Sequence, residues 1–199
     1  MPGKPRLLLH VCCAPCSTAC IERLQVDYEV VLFWYNPNLS DAQEHDLRRS
    51  EARRYAETAR VEILEAPRDP ERWDEAAAGL LDEPEGGRRC DACFRLRLRV
   101  AGEAAAAHEI GLLTSTLTLG PRKPLAKVAA AAQEALAGLP VEYLPFDFKK
   151  QGGVDRSLQL SKQHGLYRQS FCGCEPSRRE REARSRDTLT RRRGPRSAR

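Results

Sequence analysis

Leu7-Leu8-Leu9-His10-Val11 is a short apolar run, and Cys12-Cys13-Ala14-Pro15-Cys16-Ser17 follows it at once. A run of this length suits a buried strand. Ser17 is a suitable cap for a helix reaching about Gln25. The sequence thus opens with a strand, a cysteine-bearing turn and a helix. Three thiols stand at the carboxyl end of that strand.

The same alternation continues outward from this opening. Val30-Val31-Leu32-Phe33-Trp34-Tyr35 is β-branched and aromatic and reads as the strongest strand. Asn36-Pro37-Asn38 stops it. Ser40 with Gln43 fits a capping box for a helix to about Arg60. Val61 to Leu64 reads as a third strand, and Pro70 suits the first turn of a helix through Leu81. Residues 82–89 form a loop, and a helix is expected from about Asp91 to Ile110. Leu112 to Leu117 reads as a strand, about Lys123 to Ala137 as an alanine-rich helix, and Val141 to Leu144 as a strand. A short helix near Ser157 to Gln163 closes the pattern. Alternating strands and helices imply an α/β fold with a parallel sheet. Ligands of such sheets bind beyond the carboxyl ends of the strands. Cys12–Cys16, Asn36-Pro37-Asn38, Thr116 and Thr118 should therefore meet at one sheet edge.

The chain has 199 residues, 41% hydrophobic and 31% charged, which suits one domain with a core of its own. No apolar run approaches the roughly 18 residues of a membrane span. The three leucines after the basic start are too few for a signal-peptide core. A cytoplasmic protein without membrane contact is expected. Charge is uneven: residues 178–199 hold ten arginines and three acids, a balance of +7 within a net +5. We expect a catalytic unit over residues 1–180 and a flexible arginine-rich tail over 181–199. That tail is either a solvated end or a contact for nucleic-acid phosphates.

Eight cysteines in a reducing compartment are unlikely disulfides. Seven of them cluster: Cys12, Cys13 and Cys16; Cys90 and Cys93; Cys172 and Cys174. Cys20 stands apart. Structural zinc needs four ligands, and seven exceed that. Seven suffice for a [4Fe–4S] cluster with three thiols left for a second metal. Adjacent Cys12 and Cys13 are expected to point apart. Cys12 and Cys13 could then serve different metals. One division to test groups Cys13, Cys90, Cys93 and one of Cys172 or Cys174 around a cluster, with Cys12, Cys16 and the remaining thiol on the second metal; spacing alone leaves it open. A helix starting near Asp91 would favour thiolates at Cys90 and Cys93.

The motifs together resemble the QueH type of epoxyqueuosine reductase. The resemblance rests on His10-Val11-Cys12-Cys13-Ala14-Pro15-Cys16 and on Asn36-Pro37-Asn38 with Glu44 and Arg48. It continues through Arg89-Cys90-Asp91-Ala92-Cys93-Phe94 with Arg97-Leu98, and through Thr114-Ser115-Thr116-Leu117 with Pro121 and Lys123. Asp147-Phe148-Lys149 and Tyr167-Arg168-Gln169-Ser170-Phe171-Cys172-Gly173-Cys174 complete it. His45 and Ser115 depart from the tyrosine and threonine expected there. The resemblance covers about residues 6–180 and implies a Rossmann-like fold of the PP-loop (HUP-like) kind, with a cysteine-containing C-terminal segment.

The same resemblance implies reductive removal of the epoxide oxygen from epoxyqueuosine at the wobble position of a GUN-anticodon tRNA. It further implies a [4Fe–4S] cluster, a second mononuclear metal expected to be iron, and an external electron donor. Asp91, Tyr35, Tyr167 and His10 are candidate proton donors, with a satisfied strand histidine the first reading of His10 and packing or stacking the first reading of the two tyrosines. Arg48, Arg97, Lys123, Lys149 and Arg168 are candidates for holding tRNA phosphates. Arg48 and Arg97 sit on helices and could equally be solvated or pair with neighbouring acids. Two other readings fit parts of the pattern. A PP-loop-like iron–sulfur tRNA thiolation enzyme should carry a Ser-Gly-Gly-type ATP loop where Cys12–Cys16 stands. A non-catalytic zinc-binding RNA module would hold zinc and no sulfide.

Overall fold

The computed structural model describes residues 3–192. Five parallel strands form one sheet: β1 (Arg6–Val11), β2 (Glu29–Trp34), β3 (Glu62–Glu65), β4 (Leu112–Ser115) and β5 (Glu142–Tyr143). Their order is β3-β2-β1-β4-β5. Seven helices surround them: α1 (Ala14–Leu24), α2 (Ala42–Ala59), α3 (Pro70–Ala76), α4 (Arg88–Ala107), α5 (Leu125–Ala135), α6 (Gly153–Gln163) and α7 (Glu175–Arg192).

The two-residue period of the strands explains the layering. Leu7, Leu9 and Val11 of β1, with Val30, Leu32 and Trp34 of β2, pack against Ile21 and Leu24 of α1 and Tyr55 of α2. The alternate residues Leu8, Val31 and Phe33 meet Ala101 and Ala105 of α4. Every residue from Leu7 to Val11 is therefore buried, as expected of a strand covered on both faces. The strand order reverses between β1 and β4, which is where open α/β sheets bind ligands. The turn after β1 carries Cys12–Cys16, and a 3-10 turn (Thr116–Leu119) follows β4. Among the described residues no helix is long and apolar enough to cross a membrane.

Several element ends differ from the expectation. Helix α1 starts at Ala14 rather than at Ser17, because the Cys13 sulfur caps it by accepting the Cys16 amide at 3.3 Å. Ser17 instead donates to the Ala14 carbonyl at 2.8 Å inside the helix. The capping box at Ser40 does not form, since Asp41 caps α2 through the amides of Gln43 and Glu44. Helix α3 stops at Ala76, five residues short, and α4 begins at Arg88, three residues early. Cys90 and Cys93 thus lie within the first two turns of α4. Strand β4 ends at Ser115 because Ser115 Oγ accepts the Leu117 amide and starts the 3-10 turn. The boundary expected at residue 181 falls inside α7. Residues 193–199 of the expected tail lie outside the described residues.

Candidate metal centre and its basic cavity

The turn between β1 and α1 places Cys12, Cys13 and Cys16 so that their three sulfurs lie within 4.8 Å of one another. Cys12 and Cys13 do not point apart. Their sulfurs are 3.9 Å from each other, because Cys13 turns back to cap α1. Thr116 fixes the Cys12 side of the group. Its hydroxyl accepts the Cys12 amide at 3.2 Å and lies 3.4 Å from the Cys12 sulfur. Hydrogen bonding from Cys13 and Cys16 holds the Cys12 thiol well below its usual value. Burial pushes Cys13 up to about 12. The first thiol set therefore favours one thiolate among neutral partners, and a cation placed among them would draw off the remaining protons.

The other four clustered cysteines form a second set. Cys90, Cys93, Cys172 and Cys174 line one small cavity, shared with Asn38 and Trp73. Cys13 is not part of this lining; its sulfur lies with those of Cys12 and Cys16 rather than in the cavity of Cys90 and Cys93. The expected effect of the helix start on Cys90 and Cys93 is corrected. Burial raises the Cys90 thiol and pushes Cys93 up to about 12, outweighing the helix end. Among the described residues, Trp73 Nε1 and Asn38 Oδ1 are buried without a hydrogen-bond partner, and both face this cavity. Four thiols around one closed space, with an orphaned donor beside them, form a donor set that fits a thiolate-bound cluster.

Much of the motif outside the cysteines positions Cys172 and Cys174. Arg48 is 2% exposed. It donates to the carbonyls of Cys172 at 3.0 Å and Phe171 at 3.3 Å, and it pairs with Glu44. Tyr167 donates its hydroxyl to the same Glu44 carboxylate at 3.0 Å. Gly173 sits at φ +135°, where a side chain would collide with Leu39 and Asn38, so the sharp turn between the two cysteines requires glycine. Ser177 closes the turn by accepting the Gly173 amide and donating to the Cys174 carbonyl. On the α4 side, Arg89 is anchored to the Leu81 and Glu83 carbonyls and to Glu180 of α7.

Arg97 lies between the thiol sets, 1% exposed, and donates to Asn36, whose amide in turn holds the Val11 carbonyl. The structure thus places Arg48 and Arg97 in buried, hydrogen-bonded positions, Arg48 paired with an acid of its own helix, and neither lines the larger cavity beside both sets. The departure at His45 is accommodated by packing: the ring is buried against Trp34, whose indole N–H it accepts at 3.4 Å. His10 is a satisfied strand histidine, bonded to Ser115 and the Tyr35 carbonyl, and its burial lowers its pKa to about 3.

A larger cavity opens beside both sets. Cys12, Cys16 and Cys172 line it together with Lys123, Lys149 and Arg168. The structure brings these three candidate phosphate-binding cations together, and the proton-donor candidates lie elsewhere. Asp91 is paired with Lys127 at 3.1 Å. The Tyr35 hydroxyl is buried without a partner among the described residues, and Tyr167 is committed to Glu44. None of the three lines the cavity. Burial works against charge on Lys123, yet the adjacent Cys172, Cys12 and Cys16 sulfurs raise its pKa above the usual lysine value. The sequence reading did not single out three further cavity residues, Arg122, Arg181 and Arg184. Arg122 stands beside Pro121 and Lys123 of the motif, and the other two lie in the arginine-rich tail whose charge was their signal.

Comparison with known proteins is decisive at this point. The profile described as "Epoxyqueuosine reductase QueH" matches residues 7–180. The chain belongs to the QueH family. It is 36% identical over 180 residues to the epoxyqueuosine reductase QueH of Staphylococcus epidermidis, covering 86% of this chain and 75% of that protein. Against the QueH of Acinetobacter baylyi the identity is 34%, covering 88% and 81%. Among solved structures, the U34-tRNA thiolase NcsA from Methanococcus maripaludis with its [4Fe-4S] cluster superposes with a TM-score of 0.56 at 14% identity. That match covers 96% of this chain and 68% of NcsA, and it supports the PP-loop-like fold alone.

Proposed function

We propose that this chain is an epoxyqueuosine reductase acting in the cytoplasm on the wobble nucleotide of a GUN-anticodon tRNA. Family membership supports this reading, and the observation that carries it is the placement of two adjacent thiol sets against one basic cavity. The reaction removes the epoxide oxygen as water: two electrons and two protons enter, two C–O bonds break, and a carbon–carbon double bond forms. Cys90, Cys93, Cys172 and Cys174 would hold a [4Fe–4S] cluster, and Cys12, Cys13 and Cys16 a mononuclear iron. When bound, these groups supply single electrons from an external donor and a Lewis-acid site for the oxygen.

The chain's own residues bind and orient. Lys149 is fixed by the Lys123 carbonyl at 3.1 Å and the Thr118 carbonyl. With Arg168 it gives the cavity wall cations suited to a nucleotide phosphate. Lys123, facing Cys12, Cys16 and Cys172, is placed to hydrogen-bond the departing oxygen. Arg97 and Asn36 keep the cysteine turn in register with β2. Anaerobic purification should give about four cluster irons with matching acid-labile sulfide, plus one further metal. The protein should convert an epoxyqueuosine-containing stem-loop to the queuosine form. Stoichiometric zinc without sulfide would instead favour the zinc module.

A further inference from the structure

We propose that the first half of α7 is a wall of the catalytic cavity, and that Arg181 and Arg184 bind a backbone phosphate of the anticodon strand beside the reacting nucleotide. This rests on the function proposed above and goes beyond it, because both residues lie past the family match, which ends at residue 180.

The charge of the cavity points to its occupant. Among the described residues six cations line it, Arg122, Lys123, Lys149, Arg168, Arg181 and Arg184, against one carboxylate, that of Glu85. Arg181 and Arg184 are three residues apart on a helix and so share a face. That face meets the wall containing Cys12, Cys16 and Cys172. Arginine at such a position gives planar, two-pronged contacts to phosphate oxygens.

The helix is held in place by contacts that leave this face toward the cavity. Glu180 pairs with Arg89 at 2.8 Å and accepts the Glu85 amide at 3.3 Å. Arg178 pairs with Asp41 at 2.8 Å. Glu85 joins Arg184, at 3.6 Å, to Arg122 on the opposite lip. Arg181 bonds within α7, to Ser185 at 2.8 Å, so replacing it removes no contact that docks the helix. Arg179, 62% exposed and near Glu175 on another face, does not line the cavity. It serves as the internal control.

The test uses the metal-loaded full chain under anaerobic conditions and an unmodified tRNA anticodon stem-loop, whose binding is followed by fluorescence anisotropy across a salt series. Arg181→Ala and Arg184→Ala should each weaken binding about three- to tenfold. Each should also lower the slope of log affinity against log salt by roughly 0.7, the value for one phosphate contact on a single strand. Cluster absorbance should not change, and Arg179→Ala should bind like the parent. If Arg181→Ala and Arg184→Ala both match Arg179→Ala, the inference is overturned. Parent turnover of an epoxyqueuosine stem-loop reports separately on the reaction. An active parent with an unaltered Arg181→Ala slope defeats the clamp alone, whereas an inactive parent defeats the reading on which it rests.

Discussion

The two thiol sets are built in opposite ways. Cys12, Cys13 and Cys16 come from one turn of five residues, shaped by the end of β1 and the start of α1. Cys90 and Cys93 come from α4, while Cys172 and Cys174 come from a segment near the far end of the chain. The first set is as ordered as its local backbone. The second is assembled across the fold, where Arg48 holds the Phe171 and Cys172 carbonyls and Arg89 holds α7 through Glu180. Closing so long a loop costs entropy that these contacts must offset. The comparison teaches that buried charge in this fold is concentrated where distant segments must be brought to one centre.

The sharpest test of that division is at the thiols themselves. Cys90→Asp should lose all acid-labile sulfide, because clusters take thiolate ligands. Cys16→Asp should keep the cluster absorbance, because a mononuclear metal accepts carboxylate. Cys13→Ser should behave like Cys16→Asp. Iron and sulfide content of each variant decides the matter. Loss of sulfide from Cys13→Ser as complete as that from Cys90→Asp would return Cys13 to the second set.

Next in size is the anchor of the assembled set. Arg48→Ala leaves the Glu44 carboxylate, two carbonyls and the Tyr167 hydroxyl with a broken network. Removing one partner of a buried ion pair costs about 3–5 kcal/mol. Because Glu44 keeps a partner in Tyr167, the lower end is expected. Arg48→Lys should not restore it, since one ammonium cannot serve the carboxylate and both carbonyls together. A lowered denaturant midpoint with faster iron loss to a chelator is expected. Arg48→Ala that retained iron like the parent would show that the second set needs no such brace.

Smaller again is the effect of deleting residues 181–199. The deletion removes Arg181 and Arg184 but spares Glu180 and its pair with Arg89, so metal content should hold. Affinity for a tRNA stem-loop should fall about tenfold or more, with a shallower salt dependence. Unchanged affinity would mark this end of the chain as a solvated face only.

The sheet was legible because its central strands β1 and β2 are apolar on both faces and strands alternate with helices, and both patterns are local. So was the clustering of the cysteines, since spacing alone exposes it. Helix starts were misread where an unusual group does the capping: nothing in sequence ranks the Cys13 sulfur above the Ser17 hydroxyl. For Arg48 and Arg97 the sequence left phosphate contact and pairing with acids side by side. A guanidinium destined for phosphate and one buried beneath a cysteine segment look alike until the partners, Glu44 and Asn36, are in place. The proton-donor candidates lie off the cavity lining, because hydroxyls and carboxylates were chosen by motif while lining depends on the packing of distant loops. Arg181 and Arg184 lie in a charge run that was legible as a solvated end or a phosphate contact, but nothing in it singled out these two arginines.

The smallest effect is expected at Cys20, and it tests whether proximity to the first set is enough to bind metal. Cys20 lies one helical turn after Cys16, fully buried in the core beside Ile21 and Leu24. Its thiol donates to the Cys16 carbonyl at 3.1 Å, so it is already satisfied by backbone. It is absent from the group of three sulfurs that converge after β1. Cys20→Ala exchanges a small buried thiol for a methyl and forfeits one weak hydrogen bond, at a cost of about 1 kcal/mol. The thermal midpoint should drop by a few degrees, while iron, sulfide and turnover stay at the parent level. If iron or sulfide fell instead, the β1–α1 turn would be supplying a fourth ligand from inside its own helix. The local set would then be larger than the three thiols the turn presents, and the contrast between a self-contained set and an assembled one would have to be redrawn around Cys20.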